Sequence, residues 1–200
     1  MTDTAQLLSS RLATLAAGLA LALSVAPAFA AWDLQQLMDS LAQNKSGRAT
    51  FVETKRLAVL NRPIESSGEL LYTAPDKLEK RTFKPKPESM TIDGEALSVE
   101  RGNQKYQVQL QAYPEMAAFI EGIRGTLAGD RKALERNYRL SLGGSAASWV
   151  LELLPQNEKM KTVVQRIRIS GAGNQVDSIE ITQADGDSSL MVIEKSTSPR

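Results

Sequence analysis

The chain contains no cysteine and no histidine. Without cysteine there is no disulfide framework, no thiol nucleophile and no thiolate metal site. There is equally no cysteine after the N-terminal leader to carry a lipid anchor. Without histidine the commonest general base and the commonest metal ligand are missing. Serine–histidine and cysteine–histidine hydrolases, zinc sites and haem–histidine sites are thereby excluded. A net charge of +1 over 200 residues supplies no global attraction to nucleic acid or anionic membrane. Beyond residue 30 no apolar run approaches the roughly 18 residues that a membrane span needs. A binding protein, a carboxylate or serine–lysine enzyme, or a structural module remains.

What is present begins with a leader. Arg11 precedes an apolar run from Leu12 to Val25, about 14 residues long, and Ala28-Phe29-Ala30 closes it. That order of charge, apolar run and small residues predicts a signal peptide over 1–30, cleaved after Ala30. The remainder, 31–200, is expected to be a single exported domain in the periplasm of a Gram-negative cell.

Asp33 can cap a helix whose apolar positions, Leu34, Leu37, Met38 and Leu41, fall on one stripe. From Arg48 the period changes to two. Strands are expected through Phe51 to Val59, Ile64 to Tyr72, and Lys77 to Phe83. Others are expected around Met90 and Ile92, Leu97 and Val99, and Tyr106 to Leu110. Asp93-Gly94 and Gly102-Asn103 read as hairpin turns between them. Pro114 then suits a helix start, and Met116, Phe119, Ile120, Ile123 and Leu127 form a second stripe. Gly122, Gly125 and Gly129 weaken it by about 0.5–1 kcal/mol each, predicting a short, broken or mobile helix. Strands resume at Tyr138 to Leu142 and Trp149 to Pro155. The next pair is Val163 to Ile169, with Val163 on the face of Ile167, and Ile179 to Thr182. Asp185-Gly186 turns into a last strand at Leu190 to Ile193.

Ten or eleven short antiparallel strands with two main helices predict an α+β fold, mainly β. So large a sheet must curl to bury one face. The expected form is a strongly curved, unclosed β-barrel with helices covering the concave face. Helices that fill it incompletely leave an apolar cavity.

The motif order resembles the periplasmic outer-membrane lipoprotein carriers, the LolA-like superfamily. The resemblance is carried by Phe51, Ser67-Gly68-Glu69-Leu70, Pro75 and Pro87-Glu88-Ser89-Met90-Thr91-Ile92-Asp93-Gly94 with Leu97. Tyr138-Arg139-Leu140, Trp149 to Pro155 and the Asp185-Gly186 hairpin continue it. It implies a lidded half-barrel that holds acyl chains, without cofactor or catalysis. Cavity-wall positions would be Leu70, Tyr72, Leu78, Met90, Ile92 and Leu97, with Tyr106, Val108, Trp149 and Leu151. Lid positions would be Met116, Phe119, Ile120, Ile123 and Leu127. The implied partners are the acyl chains of a lipoprotein or other lipidic cargo, an inner-membrane exporter as donor and an outer-membrane acceptor. Nucleic acid and stable membrane insertion are not expected, and a monomer is.

Three departures from the carrier pattern stand out. Ala74 occupies the position of a family arginine that pins the lid, and Lys80 that of a tryptophan. Seven residues follow Ile193, which leaves no room for the family's C-terminal extension. The lid over Met116–Leu127 is therefore expected to sit loosely.

Several features have plainer readings. Lys77, Lys80, Arg81, Lys84 and Lys86 suggest an edge strand guarded by charge and proline. Asp185-Gly186-Asp187 lacks the spacing of a calcium loop. Gly171-Ala172-Gly173 lacks the third glycine of a dinucleotide loop, and Gly143-Gly144-Ser145 is no nucleophile elbow. Glu53, Glu65, Glu69 and Glu79 are the strand carboxylates from which a hydrolase pair would come, although a solvated sheet face explains them more simply. The principal expectation is a non-catalytic periplasmic carrier shuttling acylated cargo toward the outer membrane. The alternative is a non-catalytic scaffold of an envelope assembly.

Overall fold

A computed structural model describes residues 32–195, and the expected signal peptide over 1–30 lies outside them. Helix α1 (Leu34–Leu41) starts on a reciprocal cap. The Asp33 carboxylate accepts from the Gln36 amide, and the Gln36 side chain accepts from the Asp33 amide. Six strands follow: β1 (Ser46–Arg56), β2 (Ile64–Thr73), β3 (Lys77–Lys84), β4 (Glu88–Asp93), β5 (Ala96–Arg101) and β6 (Gln104–Gln109). Then come α2 (Pro114–Ala128) and α3 (Arg131–Asn137), and β7 (Tyr138–Ser145) and β8 (Ser148–Pro155) after them. The one-turn helix α4 (Glu158–Lys161) precedes β9 (Val164–Ala172), β10 (Gln175–Gln183) and β11 (Ser188–Lys195).

Among the described residues the eleven strands form one antiparallel sheet in the order β6-β5-β4-β3-β2-β1-β11-β10-β9-β8-β7. Neighbouring strands in the chain are neighbours in the sheet, and β1 pairs with β11, so the meander is circular except for one gap. The gap lies between β6 and β7, the two edges. The chain crosses it through α2 and α3. Helix α2, at 15 residues, is about 22 Å long, enough to pass over several strands. Among the described residues β6 and β7 do not pair, so the barrel is unclosed, and the chain between them is helical.

The turns match expectation. Gly94 and Gly102 sit at φ +55° and +57°, and Gly186 at +91°, a region that glycine enters without strain. Four expectations need correction. Helix α2 is continuous, because Gly122 and Gly125 are contact points rather than breaks. A Cβ at either would lie 2.9 Å from Tyr138 or Leu134. Strand β3 is interior, flanked by β2 and β4, so its lysines guard no edge. Val164, not Val163, faces the core, because the β9–β10 pairing skips Gln165. The short helices α3 and α4 are additional to the two that the apolar stripes predict.

One face of the sheet carries the core, which has two parts. Against β7–β10, Leu37, Met38 and Leu41 of α1, Leu134 of α3 and Met160 of α4 pack on Trp149, Leu151, Leu153, Ile167 and Ile169. Against β4 and β5, Ile120 of α2 and Leu110 pack on Ile92 and Leu97. Phe119 touches both.

Candidate functional site

The pairing register defines which side chains share the helix-covered inner face. Phe51 lies opposite Gly68, Leu70 opposite Lys80, and Tyr72 opposite Leu78. Leu78 lies opposite Ile92 and Lys80 opposite Met90. The ladder continues through Ile92–Leu97, Met90–Val99, Leu97–Val108 and Val99–Tyr106. The wall positions on β2–β6 therefore line one continuous surface. Trp149 and Leu151 also face inward but belong to the β7–β10 side, fully buried, with Trp149 Nε1 donating to the Gly173 carbonyl at 3.0 Å.

The two sides are not equally filled. On β2–β6, Tyr72, Ile92 and Leu97 are buried, whereas Leu70, Leu78, Met90, Val99 and Val108 stay half-buried and Tyr106 is exposed. On α2, Ile120 is buried, Phe119, Ile123 and Leu127 are half-buried, and Met116 is exposed. Two depressions of about 410 and 610 Å³ lie elsewhere, one beside Gly129–Lys132 and one beside Arg139 and Leu154–Gln156. None of the expected wall or lid residues lines either of them. The β2–β6 side is a half-covered apolar surface.

Charge is built into this surface. Glu53 is 4% exposed and accepts from Lys80 Nζ at 2.5 Å and from the Ser66 hydroxyl at 3.3 Å. Lys55 lies 3.6 Å from its other oxygen. The Lys80 ammonium also sits 4.9 Å from the Phe51 ring centroid, a cation–π contact. Further along, Arg101 Nε donates to Glu88. Of Glu53, Glu65, Glu69 and Glu79, Glu53 alone shares the inner face. The other three alternate to the outside, so these four bring no carboxylate pair together. The sequence did hold a signal for the Glu53–Lys80 pair, since both residues stand in register with apolar inward neighbours.

The cover is tied down from its own side. Arg124 of α2 donates to the Gly94 carbonyl in the β4–β5 turn at 2.7 Å, and its other arm meets Glu121 at 2.9 Å. Tyr138 Oη donates to the Ala118 carbonyl at 3.1 Å. Burial, then the nearby Glu121 carboxylate, pushes the Tyr138 phenol well above its ordinary value. Ala74 offers no side chain to latch α2, whose ties run instead from Arg124 and from Tyr138 of β7. Tyr72 is different. Its buried hydroxyl has no partner among the described residues, and burial, then Asp76, raises its pKa.

No curated protein matches the chain. A LolA superfamily protein from Nitrosomonas europaea matches at 11% identity, covering 83% of this chain and 93% of its own, with a TM-score of 0.45. The MucA/MucB complex of Pseudomonas aeruginosa matches at 12% identity over 84% of this chain and 59% of that one, with a TM-score of 0.47. A putative outer membrane lipoprotein-sorting protein domain from Vibrio parahaemolyticus gives 10% identity, 84% and 92% coverage and a TM-score of 0.40. A family model described as "Outer membrane lipoprotein carrier protein LolA-like" matches residues 26–196. The chain, a curled antiparallel sheet whose two edge strands are joined through helices, belongs to that LolA-like family.

Proposed function

We propose that this protein is an envelope carrier that takes acyl chains of a lipoprotein or other lipidic cargo against the β2–β6 side of its inner face. The observation that carries the reading is the partial exposure of Leu70, Leu78, Met90, Val99 and Val108 on a face otherwise given over to the core. Apolar surface left wet costs about 25 cal/mol per Å², which an acyl chain laid along it would recover. Tyr72 adds a polar handle. Its neutral phenol has a proton to donate and no acceptor, which suits an ester or amide carbonyl at the head of an acyl chain. Work of this kind is binding and release, and needs no catalytic group. The signal peptide read from the sequence supports a periplasmic setting, between an inner-membrane donor and an outer-membrane acceptor.

The test is binding of a fluorescent fatty-acid probe by the purified protein, with native mass spectrometry of material taken from its own envelope. Leu78→Ala and Tyr72→Phe should each weaken the probe several-fold while the melting temperature moves by only a few degrees. A protein that binds no probe and carries no lipid would overturn the reading. The scaffold alternative draws on the solid packing of the β7–β10 side, and would then be left standing.

A further inference from the structure

The two ends of the sheet differ in what they expose. At the end where β1, β3 and β10 finish, the connections 57–63, 85–87 and 184–187 lie side by side, because β3, β2, β1, β11 and β10 are successive neighbours. The β1–β2 connection is apolar at its tip. Val59 is 89% exposed, Leu60 48%, and Ile64 at its base is exposed too. This loop has a fixed shape. Leu60 N donates to the Leu57 carbonyl at 2.9 Å, and Ala58 N donates to Asp187 Oδ1 at 2.8 Å. At the end of β3, just before the neighbouring connection, Phe83 is 53% exposed, next to the β2–β3 register shift.

Charge in these two stretches has one sign. Residues 55–64 read Lys-Arg-Leu-Ala-Val-Leu-Asn-Arg-Pro-Ile, and residues 83–87 read Phe-Lys-Pro-Lys-Pro, without an acid in either. Lys55 is engaged by Glu53, while Arg56, Arg62, Lys84 and Lys86 are exposed. The acids nearby are Glu65, Glu88, Asp185 and Asp187. Glu88 is held by Arg101, and Asp187 by the Ala58 amide. An exposed valine–leucine tip with Arg56 and Arg62 in its own stretch and Lys84 and Lys86 on the next is poorly matched to water. It is well matched to a bilayer interface, where the apolar tip enters the acyl boundary and the cations meet phosphates.

We propose that this end is a docking surface for an anionic phospholipid bilayer, with Val59 and Leu60 inserting and Arg56, Arg62, Lys84 and Lys86 binding lipid phosphates. The contact is peripheral and reversible, since one loop tip buries far less apolar surface than a stable anchor. It does not depend on the cargo reading, because none of these side chains belongs to the acyl-binding wall. The near-neutral whole chain is no obstacle. Screening confines the relevant field to about 10 Å, so local charge decides.

The experiment is co-sedimentation of the intact protein with vesicles of phosphatidylglycerol or of phosphatidylcholine alone, across a salt series. The expected result is binding to phosphatidylglycerol that falls with salt and is at least tenfold weaker on phosphatidylcholine. Val59→Asp with Leu60→Asp should lower it by tenfold or more. Arg56→Gln with Arg62→Gln should lower it by roughly fivefold per cation and flatten the salt dependence. All four positions are exposed, so unchanged melting temperatures confirm that the fold survives. Equal binding to both vesicle types, no binding to phosphatidylglycerol, or full binding by the aspartate variant would each overturn the proposal. So would a dimer in sedimentation that the same aspartates dissolve, which would assign the loop to a second copy.

Discussion

The inner face of the sheet has two sides made from the same kind of strand and filled in different ways. On β7–β10 the inward residues Trp149, Leu151, Leu153, Ile167 and Ile169 are closed over by α1, α3 and α4, and none is more than 1% exposed. On β2–β6 the inward residues Leu70, Leu78, Met90, Val99 and Val108 keep part of their surface, because cover comes from Ile120, Phe119 and Ala117 of α2 and from Leu110. Strand alternation decides which side chains turn inward. The helices decide whether the space they turn into is occupied. Packing is therefore dense on one side and incomplete on the other, within one hydrogen-bonded sheet, and the incomplete side is where the proposed cargo would lie.

The largest effect that separates the sides is expected at Trp149. Trp149→Ala empties a fully buried site and removes the bond to the Gly173 carbonyl, and should cost about 3–5 kcal/mol of stability. Denaturant unfolding measures this. The same variant, where still folded, should hold a fatty-acid probe at near-native affinity. A large affinity loss without a stability loss would erase the proposed division between the sides.

Next comes the charge inside the half-covered side. Lys80→Met removes the closer of two cations from a buried carboxylate, leaving Lys55 and Ser66 in place, and should cost about 1.5–3 kcal/mol, the cost of a lost hydrogen bond to a charged group. Replacing both partners, Glu53→Gln with Lys80→Met, should recover most of that loss. Failure of the double variant to recover would mean that Lys80 acts through packing on Phe51 rather than through Glu53.

Much of this arrangement was legible in the residues, and the exceptions have physical causes. Alternation over Met90 to Val108 and at Trp149 to Pro155 is a local property, and both Asp-Gly turns are local chemistry, so strands and hairpins emerged with little error. The bulge that puts Val164 inward depends on the partner strand and leaves no mark in its own sequence. Gly122 and Gly125 read as weakness because propensity counts only the helix itself, while the helix gains close contact with Tyr138 and Leu134. Helix α3 was hidden by its brevity, though Asp130, whose side chain accepts from the Ala133 amide, marks its start. For the candidate site, Leu78, Met90, Ile92 and Leu97, which the resemblance names as wall positions, share one face of the sheet. Trp149 and Leu151, named with them by the resemblance, also face inward but lie in the packed cluster on the β7–β10 side.

An effect of similar size is expected where the cover meets the half-covered side. Arg124→Ala removes the donor to the Gly94 carbonyl and should cost about 1.5–3 kcal/mol. Hydrogen exchange should rise in α2 and in the β4–β5 turn, and stay unchanged in β8 and β9. Probe binding should become faster in both directions. Exchange that rises equally in β8 and β9 would mean that the sides open together.

The smallest effect tests the tie between α2 and the sealed side. Tyr138→Phe deletes the hydroxyl that donates to the Ala118 carbonyl and should cost about 1 kcal/mol near neutral pH. Its signature is in the pH dependence. Burial and Glu121 raise the folded-state pKa of this phenol above the unfolded value of about 10. The folded chain then holds the proton where the unfolded chain releases it. That contribution is fully present below about pH 10 and is lost as pH climbs toward the folded value, at up to about 1.4 kcal/mol per pH unit. Unfolding free energy of the parent should accordingly be level from about pH 7 to 9 and fall above about 10, with the raised Tyr72 adding to the decline. The Tyr138→Phe variant, starting lower, should fall less steeply, so the two curves converge in alkali. Parallel curves would mean that the Tyr138 proton is not held by the fold.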